Sequence, residues 1–222
     1  MHEYAVIVAG GSGSRMKSDI PKQFHIVNNL PVLMHTINAF REYSEELHII
    51  VVLPEIQFLF WEKLCEAHQF NARYQLVAGG NTRFHSVKNG LQSINAIEGL
   101  VAVHDGVRPV ISKEIIAGSF YAAAEFGSAV ASVPLKESIR SIDPAIGNKA
   151  LDRTHFRLVQ TPQTFRLVWM LDAFSVDYRE TFTDCASVLE AKGYPINLID
   201  GAYENIKITT PEDLKWAETY LS

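Results

Sequence analysis

Short apolar runs recur along the first two thirds of the chain, at Tyr4–Ala9, Leu47–Leu53, Tyr74–Ala78, Leu100–His104 and Ala129–Val133. Several are apolar at consecutive positions, as in Ala5-Val-Ile-Val-Ala9 and Ile49-Ile-Val-Val-Leu53. A strand covered on one face only would alternate; an unbroken run predicts a strand buried on both faces. Between these runs lie stretches with helical spacing of apolar positions, near Val32–Arg41, Gln57–Ala67, Thr82–Ile94 and Lys113–Phe126. Strand–helix alternation of this kind predicts an α/β class fold, a doubly wound and mostly parallel sheet with helices on both faces.

The alternation stops after Pro134. The segment 135–159 is polar, carries Pro144 and Gly147, and contains two β-like pieces, Glu137–Ile142 and Phe156–Val159. Long structureless segments are uncommon in compact domains unless they serve a purpose, so a projecting arm is expected there. Helical patterns resume at Leu167–Tyr178 and Asp184–Lys192, followed by a strand at Ile196–Ile199 and a last helix at Pro211–Leu221. Thr210-Pro211-Glu212-Asp213 is a helix start with a hydroxyl cap, proline at the first position and acids in the first turn. With 222 residues, one domain carrying a modest appendage is expected.

In open α/β sheets, ligands sit beyond the carboxyl ends of the strands. Three chemically suggestive segments fall there. The first strand runs into Ala9-Gly-Gly-Ser-Gly-Ser-Arg-Met16, with Pro21-Lys22-Gln23 close behind. Glycines let backbone N–H groups approach an anion, and Arg15 and Lys22 add full positive charge where a polyphosphate would lie. The loop is neither a dinucleotide fingerprint, since Gly11-Ser-Gly-Ser-Arg-Met16 lacks the last glycine, nor a P-loop, since no Gly-Lys-Ser/Thr follows. After the third strand come Gly79-Gly80-Asn81-Thr82-Arg83 and Ser86, where a flat base could meet the backbone and where Asn81 or Thr82 could cap a helix. The fourth strand ends in His104-Asp105-Gly-Val-Arg108-Pro109; a carboxylate there could hold Mg²⁺, which takes one or two carboxylates plus phosphate oxygens. Near the C-terminus, Glu204-Asn-Ile-Lys207-Ile-Thr209 reads as an extended piece, with Glu204, Ile206 and Ile208 on one side and Asn205 and Lys207 on the other.

The net charge is −5, so the cations named above form a local patch in an acidic protein. That suits a small anionic ligand and argues against nucleic-acid binding. Cys65 and Cys185 have no metal spacing and are expected as reduced thiols in a cytoplasmic protein. No leader pattern and no membrane-spanning apolar run is expected.

Together these segments resemble the 2-C-methyl-D-erythritol 4-phosphate cytidylyltransferase family, from about residue 4 to residue 221. Further matching segments are Gln160-Thr-Pro-Gln163, Thr183-Asp-Cys-Ala-Ser187 and Asn205–Thr209 followed by Pro211–Leu214. The resemblance implies a Rossmann-like nucleotidyltransferase fold and a reaction of CTP with a polyol phosphate, releasing pyrophosphate, in non-mevalonate isoprenoid biosynthesis. It implies catalytic roles for Arg15, Lys22, Arg153 and Lys207. It implies CTP contacts from Ala9, Gly10, Gly11, Gly13, Gly80, Asn81, Ser86 and Asp105, and substrate contacts from Arg108, Ser138, Thr161 and Thr183. Magnesium is the implied cofactor, at Asp105 and Glu204. The arm is implied to cross into a second copy, making a homodimer in which Ser138 and Arg153 serve the neighbour's site.

The chain departs from the family pattern in places. Many relatives carry Ala-Ala-Gly where Ala9-Gly10-Gly11 stand, Asp-Thr where Glu137-Ser138 stand, and an aspartate at positions 185 and 204. Ribitol-5-phosphate cytidylyltransferases share the nucleotide half and tend to carry Ala-Gly-Gly; Val159–Gln163 and Thr183–Ser187 favour the methylerythritol substrate. A non-catalytic nucleotide-binding protein is the reading from another class, opposed by the presence of Arg15, Lys22, Asp105 and Lys207. A nicotinamide oxidoreductase is opposed by the incomplete glycine fingerprint.

Overall fold

In the computed structural model, which describes residues 1–11, 16 and 18–221, the apolar runs all enter one sheet. The chain passes through β1 (Glu3–Val8), a 3-10 turn (Lys22–Phe24), the small hairpin β2 (Ile26–Val27) and β3 (Leu30–Pro31), and α1 (Val32–Tyr43). It continues through β4 (His48–Leu53), α2 (Phe58–Ala67), β5 (Gln75–Ala78), α3 (Arg83–Gln92), β6 (Leu100–Asp105), α4 (Lys113–Phe126) and β7 (Ser128–Pro134). The remainder comprises β8 (Ile139–Asp143), β9 (Gly147–Leu151), β10 (Arg157–Arg166), α5 (Leu167–Ala173), α6 (Cys185–Ala191), β11 (Leu198–Asp200) and α7 (Pro211–Glu218). The main sheet has seven strands in the order β11-β7-β10-β6-β1-β4-β5. Strand β10 runs antiparallel to both its neighbours, β6 and β7, and the other pairs are parallel.

Alternate residues of the central strands feed two separate cores. Ala5, Ile7, Ile49 and Val51 pack with Leu33, Ile37 and Phe40 of α1, Trp61 of α2 and Ile116 and Phe120 of α4. Val6, Val8, Ile50 and Val52 pack with Phe84, Val87 and Leu91 of α3, Leu167 and Met170 of α5, and Val188 and Leu189 of α6. Each fully buried aliphatic side chain of this kind contributes about 1.5–3 kcal/mol relative to its exposed state. A third, smaller cluster of Val27, Val32, Val107, Ile208 and Ala217 seats α7 beside the hairpin β2–β3. Helix α7 starts as its sequence expects, with the Asp213 carboxylate accepting from the N–H groups of Thr209 and Thr210, both at 2.8 Å.

Three elements differ from the sequence expectation. Strand β10 is continuous from Arg157 to Arg166 although Pro162 lacks a donor; its register against β7 shifts between Val159 and Gln163. The irregularity lifts Gln160–Pro162 out of that ladder, so no ladder hydrogen bond is demanded of the proline. Helix α5 ends at Ala173, short of Tyr178, because Ser175 folds back on the Asp172 carbonyl through both its N–H (3.1 Å) and its hydroxyl (2.7 Å). Beyond it, Phe174, Tyr178 and Phe182 gather around the Phe84 ring. The arm contains a hairpin, β8–β9, pairing Ile139 with Leu151 through to Asp143 with Gly147. Gly147 opens β9 at φ +89°, a left-handed conformation that glycine adopts without a steric penalty.

Candidate active site

The carboxyl ends of β1, β5 and β6 open into a cavity of about 210 Å³. Ala9, Gly10 and Gly11 form one wall, Gly80 to Arg83 and Ser86 a second, and Lys22, Asp105 and Lys207 close it. Each wall is held from beneath. The Gln23 amide donates to the Ala9 carbonyl at 2.7 Å and to Gln57 Oε1 at 2.8 Å, and is itself fully buried. It pins the Lys22–Phe24 turn under the glycine loop, which leaves Lys22 at the cavity, its Nζ 3.3 Å from the Ile208 carbonyl. Ser86 Oγ accepts from the Gly80 N–H at 3.1 Å and closes the second wall into a tight turn. A Cβ on Gly80 would stand 2.4 Å from His85 Cβ, so the turn excludes any other residue there. Thr82 caps α3, its Oγ1 accepting from the His85 N–H at 3.4 Å.

Charge converges on Asp105. Its Oδ1 meets Arg83 Nε at 3.3 Å, and its Oδ2 meets Lys207 Nζ at 3.0 Å and Arg108 Nε at 3.4 Å. Burial alone would push this carboxyl up, but Arg83, Lys207 and Arg108 outweigh it and hold the group well below the ordinary carboxylate range. Three cations around one anion leave a net positive cluster with Lys22 on the facing wall. Such a cluster, half-withdrawn from water, attracts a polyanion far more strongly than the same charges would in bulk solvent.

The cations are themselves braced. Arg108 Nη1 donates to the Asn205 carbonyl at 2.7 Å, and the fully buried Asn205 amide donates to the Thr161 carbonyl at 2.8 Å. Thr161 Oγ1 accepts from the Asp105 N–H at 3.1 Å. The β10 segment freed by Pro162 therefore serves as the scaffold for Asp105 and Arg108. Next to it, Gln163 Oε1 accepts from the N–H groups of Cys185 and Ala186, and its amide donates to the cap residue Asp184 at 2.9 Å. Cys185 stands against Arg83, with Nη1 3.5 Å from its sulfur; burial pushes this thiol up to about 11 against the pull of Arg83, so it is neutral at pH 7. Arg83 Nη2 is enclosed without a hydrogen-bond partner among the described residues, at a cost of about 1–3 kcal/mol. His104 points the other way, Nε2 lying 3.1 Å from the Arg108 carbonyl, and burial pushes it down to about 4.

The structure thus brings together Ala9, Gly10, Gly11, Lys22, Gly80, Asn81, Ser86, Asp105 and Lys207, with Arg108 and Thr161 directly behind. Gly13 and Arg15 lie outside the described residues. Thr183 is exposed and Glu204 half-buried; neither lines this cavity. Ser138 and Arg153 belong to the exposed arm, where Arg153 donates to the Lys136 carbonyl. The expected alternation at 204–208 is not found: Asn205 and Ile208 are both fully buried, and a tight turn from the Glu204 carbonyl to the Ile206 N–H (2.7 Å) breaks the period. Sequence reading assigned no role to Arg83, Gln23 or Asn205. A basic residue opening a helix beside a glycine turn was the available signal for Arg83; the two amides carried none.

A mostly parallel α/β sheet with a polar, glycine-walled cavity beyond its strand ends defines a protein of the nucleotide-handling α/β class. The IspD family model, 2-C-methyl-D-erythritol 4-phosphate cytidylyltransferase, matches residues 4–222, and the chain belongs to that family. It is 47% identical over 221 residues to the 2-C-methyl-D-erythritol 4-phosphate cytidylyltransferase of Phocaeicola vulgatus, covering 100% of both chains. It is 48% identical to that of Bacteroides thetaiotaomicron, covering 97% of each. Among solved structures it resembles the Thermus thermophilus enzyme of that name (TM-score 0.79, 29% identity, 99% and 98% of the two chains covered). It also resembles 4-diphosphocytidyl-2C-methyl-D-erythritol synthase from Anaerococcus prevotii (TM-score 0.83, 26% identity, 99% and 96% covered).

Proposed function

We propose that this protein transfers CMP from CTP to 2-C-methyl-D-erythritol 4-phosphate, giving 4-diphosphocytidyl-2-C-methyl-D-erythritol and pyrophosphate in non-mevalonate isoprenoid synthesis. Family membership supports the reaction, and the cationic cluster around Asp105 is the observation that carries it to these residues. A phosphate oxygen of the polyol attacks the α-phosphorus of CTP. A new P–O bond forms there as the bond to the β-phosphate bridge breaks, and the electron pair leaves with pyrophosphate. The attacking oxygen is ionised at neutral pH, so no protein base is needed. His104, neutral and tied to the Arg108 carbonyl, is not asked for one.

Catalysis is then positioning and charge stabilisation. Gly10, Gly11, Gly80, Asn81 and Ser86 receive the nucleotide. Lys22 faces the charge that grows on the triphosphate, a role that the family resemblance also gives Arg15, and Lys207 with Arg108 takes the polyol phosphate. Among the described residues no group of three or more His, Cys, Asp or Glu side chains could cage a metal by itself. One carboxylate at a strand end beside a phosphate cavity fits magnesium, which completes its shell with phosphate oxygens and water. Asp105 would hold it at the cavity, with Glu204 outside the lining, and the ion would neutralise triphosphate charge. The arm forms a homodimer and brings Ser138 and Arg153 to the partner subunit's site. A cytoplasmic location agrees with two free thiols and with the absence, among the described residues, of any helix long and apolar enough to cross a membrane.

Pyrophosphate release from CTP and Mg²⁺ is to be followed with methylerythritol phosphate and with ribitol 5-phosphate. Turnover with the first at least tenfold above the second is expected. Preference for ribitol phosphate would reassign the substrate, and tight CTP binding without product from either would reduce the protein to a nucleotide binder.

A further inference from the structure

Among the described residues, three cations meet Asp105, and Arg83 is the one with no part in the reaction as proposed above. It is the first residue of α3, directly after the turn Gly79–Thr82 that walls the nucleotide cavity. Its backbone therefore belongs to the wall on the base side, while its side chain crosses to the carboxylate at the end of β6. Nε donates to Asp105 Oδ1 at 3.3 Å, the oxygen that neither Lys207 nor Arg108 takes. Nη1 rests on Cys185 Sγ, 3.5 Å away, at the first residue of α6. The sulfur is a weak acceptor and is neutral, so it holds the guanidinium in place without dividing its charge. Nη2 is enclosed with no partner among the described residues. A guanidinium that spans three elements while one of its donors goes unmatched among the described residues points to a role beyond packing.

We propose that Arg83 is a positioning residue for cytidylyl transfer, a clasp that fixes the rotamer of Asp105 relative to the base-side turn. Through it, nucleotide seating and the orientation of the Asp105 carboxylate are set by one side chain spanning α3, β6 and α6. Arg108 and Lys207 do not substitute for this. Both act on Oδ2 and approach from the side of the 205–208 segment, whereas Arg83 grips Oδ1. Without the clasp, Asp105 turns freely toward Lys207 and Arg108, and the cavity loses the fixed anion that organises its cations. The inference rests on the proposed reaction, but its geometry is independent of which polyol phosphate is used.

Three variants test it: Arg83→Gln removes the charge and the fork, Arg83→Lys keeps a charge that can reach Oδ1, and Cys185→Ala removes only the sulfur rest. Melting temperatures identify folded variants. The clasp predicts that folded Arg83→Gln loses on the order of a hundredfold in kcat, while Arg83→Lys recovers about a tenth or more of the lost rate. Cys185→Ala should stay within about threefold of the parent. Binding of CTP with Mg²⁺, read by calorimetry, should weaken about tenfold in Arg83→Gln and recover in Arg83→Lys. Loss confined to KM with kcat unchanged, equal defects in Gln and Lys variants, or parental activity in Arg83→Gln would each overturn the clasp. Should the parent protein turn over neither polyol phosphate, the reaction proposal fails on its own. The calorimetric comparison of the Gln and Lys variants then still decides the clasp.

Discussion

The carboxyl pole of the sheet and the arm are built on opposite terms. At the pole, polar side chains are withdrawn from water and nearly all their bonds are made within this chain: Asp105 is held by three cations, Asn205 by Thr161, Gln23 by Ala9 and Gln57. In the arm, apolar side chains are left in water: Ile142 is 83% exposed and Ile146 87%. The arm touches the body at its base, where Lys136 lies 3.4 Å over the Tyr203 ring and the Tyr203 hydroxyl donates to the Pro134 carbonyl at 2.9 Å. One region is self-sufficient in most of its polar contacts, and the other leaves apolar surface exposed. The difference teaches that the described walls of the cavity all come from this chain's own strand ends, while Ser138 and Arg153 lie apart from them on the exposed arm.

The largest effect tests the self-sufficient side. Lys22→Ala and Lys207→Ala should each lower kcat/KM by about 10²–10³, the usual loss when one group facing transition-state charge is removed. Steady-state pyrophosphate assays read it directly. Mixing Lys22→Ala with Arg153→Ala sharpens the comparison. If the arm serves the partner subunit, the mixed dimer regains one intact site, and activity returns to about a quarter of the parent at equal mixing. Mixtures no more active than their components would show that Arg153 does not serve the partner subunit's site.

Next comes acid sensitivity, which should belong to the pole. His104 is fully buried and pushed down to about 4, against an ordinary value near 6.5. The unfolded chain binds this proton first as pH falls, so stability is unaffected above about 6.5 and declines from there toward 4. By pH 5 the loss amounts to about 2 kcal/mol. Asp105 adds to it lower down: its depressed folded value stabilises the protein above the ordinary carboxylate range and is lost as pH falls toward it. Urea unfolding at pH 7 and pH 5 should show this decline in the parent and a shallower one in His104→Gln. Equal slopes would mean that His104 is hydrated in solution. A smaller effect, about 1 kcal/mol, is expected from Asp213→Ala, which strips the α7 start of its acceptor for two N–H groups.

Much of the pole was legible in the sequence, and much of the arm was not, for physical reasons. Strands β1, β4 and β6 announced themselves because burial on both faces leaves unbroken apolar runs. Chemistry at strand ends follows from the topology those runs impose, so Gly10, Gly80 and Asp105 were found together. The contacts among Arg83, Asp105, Arg108, Asn205 and Lys207 were not legible, because residues up to 124 positions apart meet only after the sheet is wound. Pro162 concealed β10, since a proline inside a strand argues against one unless a bulge relieves it. In the arm, Gly147-Asn-Lys-Ala has neither apolar alternation nor β-branched residues, and β9 exists there through pairing with β8 alone.

The smallest effect is the one most able to break the comparison. Replacing Ile142 and Ile146 together by serine removes apolar surface that is already in water, so nothing is transferred on unfolding and the monomer's stability should change by no more than about 0.5 kcal/mol. Denaturant midpoints at low protein concentration measure this term alone. At higher concentration the same double variant should shift the sedimentation mass from dimer toward monomer, since the surface that loses its cover is the one offered to a partner. A stability loss of about 2 kcal/mol in the dilute sample would show the hairpin tips packed on their own body in solution. The contrast between a self-sufficient pole and an outward-facing arm would then no longer hold, and a dimer built through the arm would lose its physical basis.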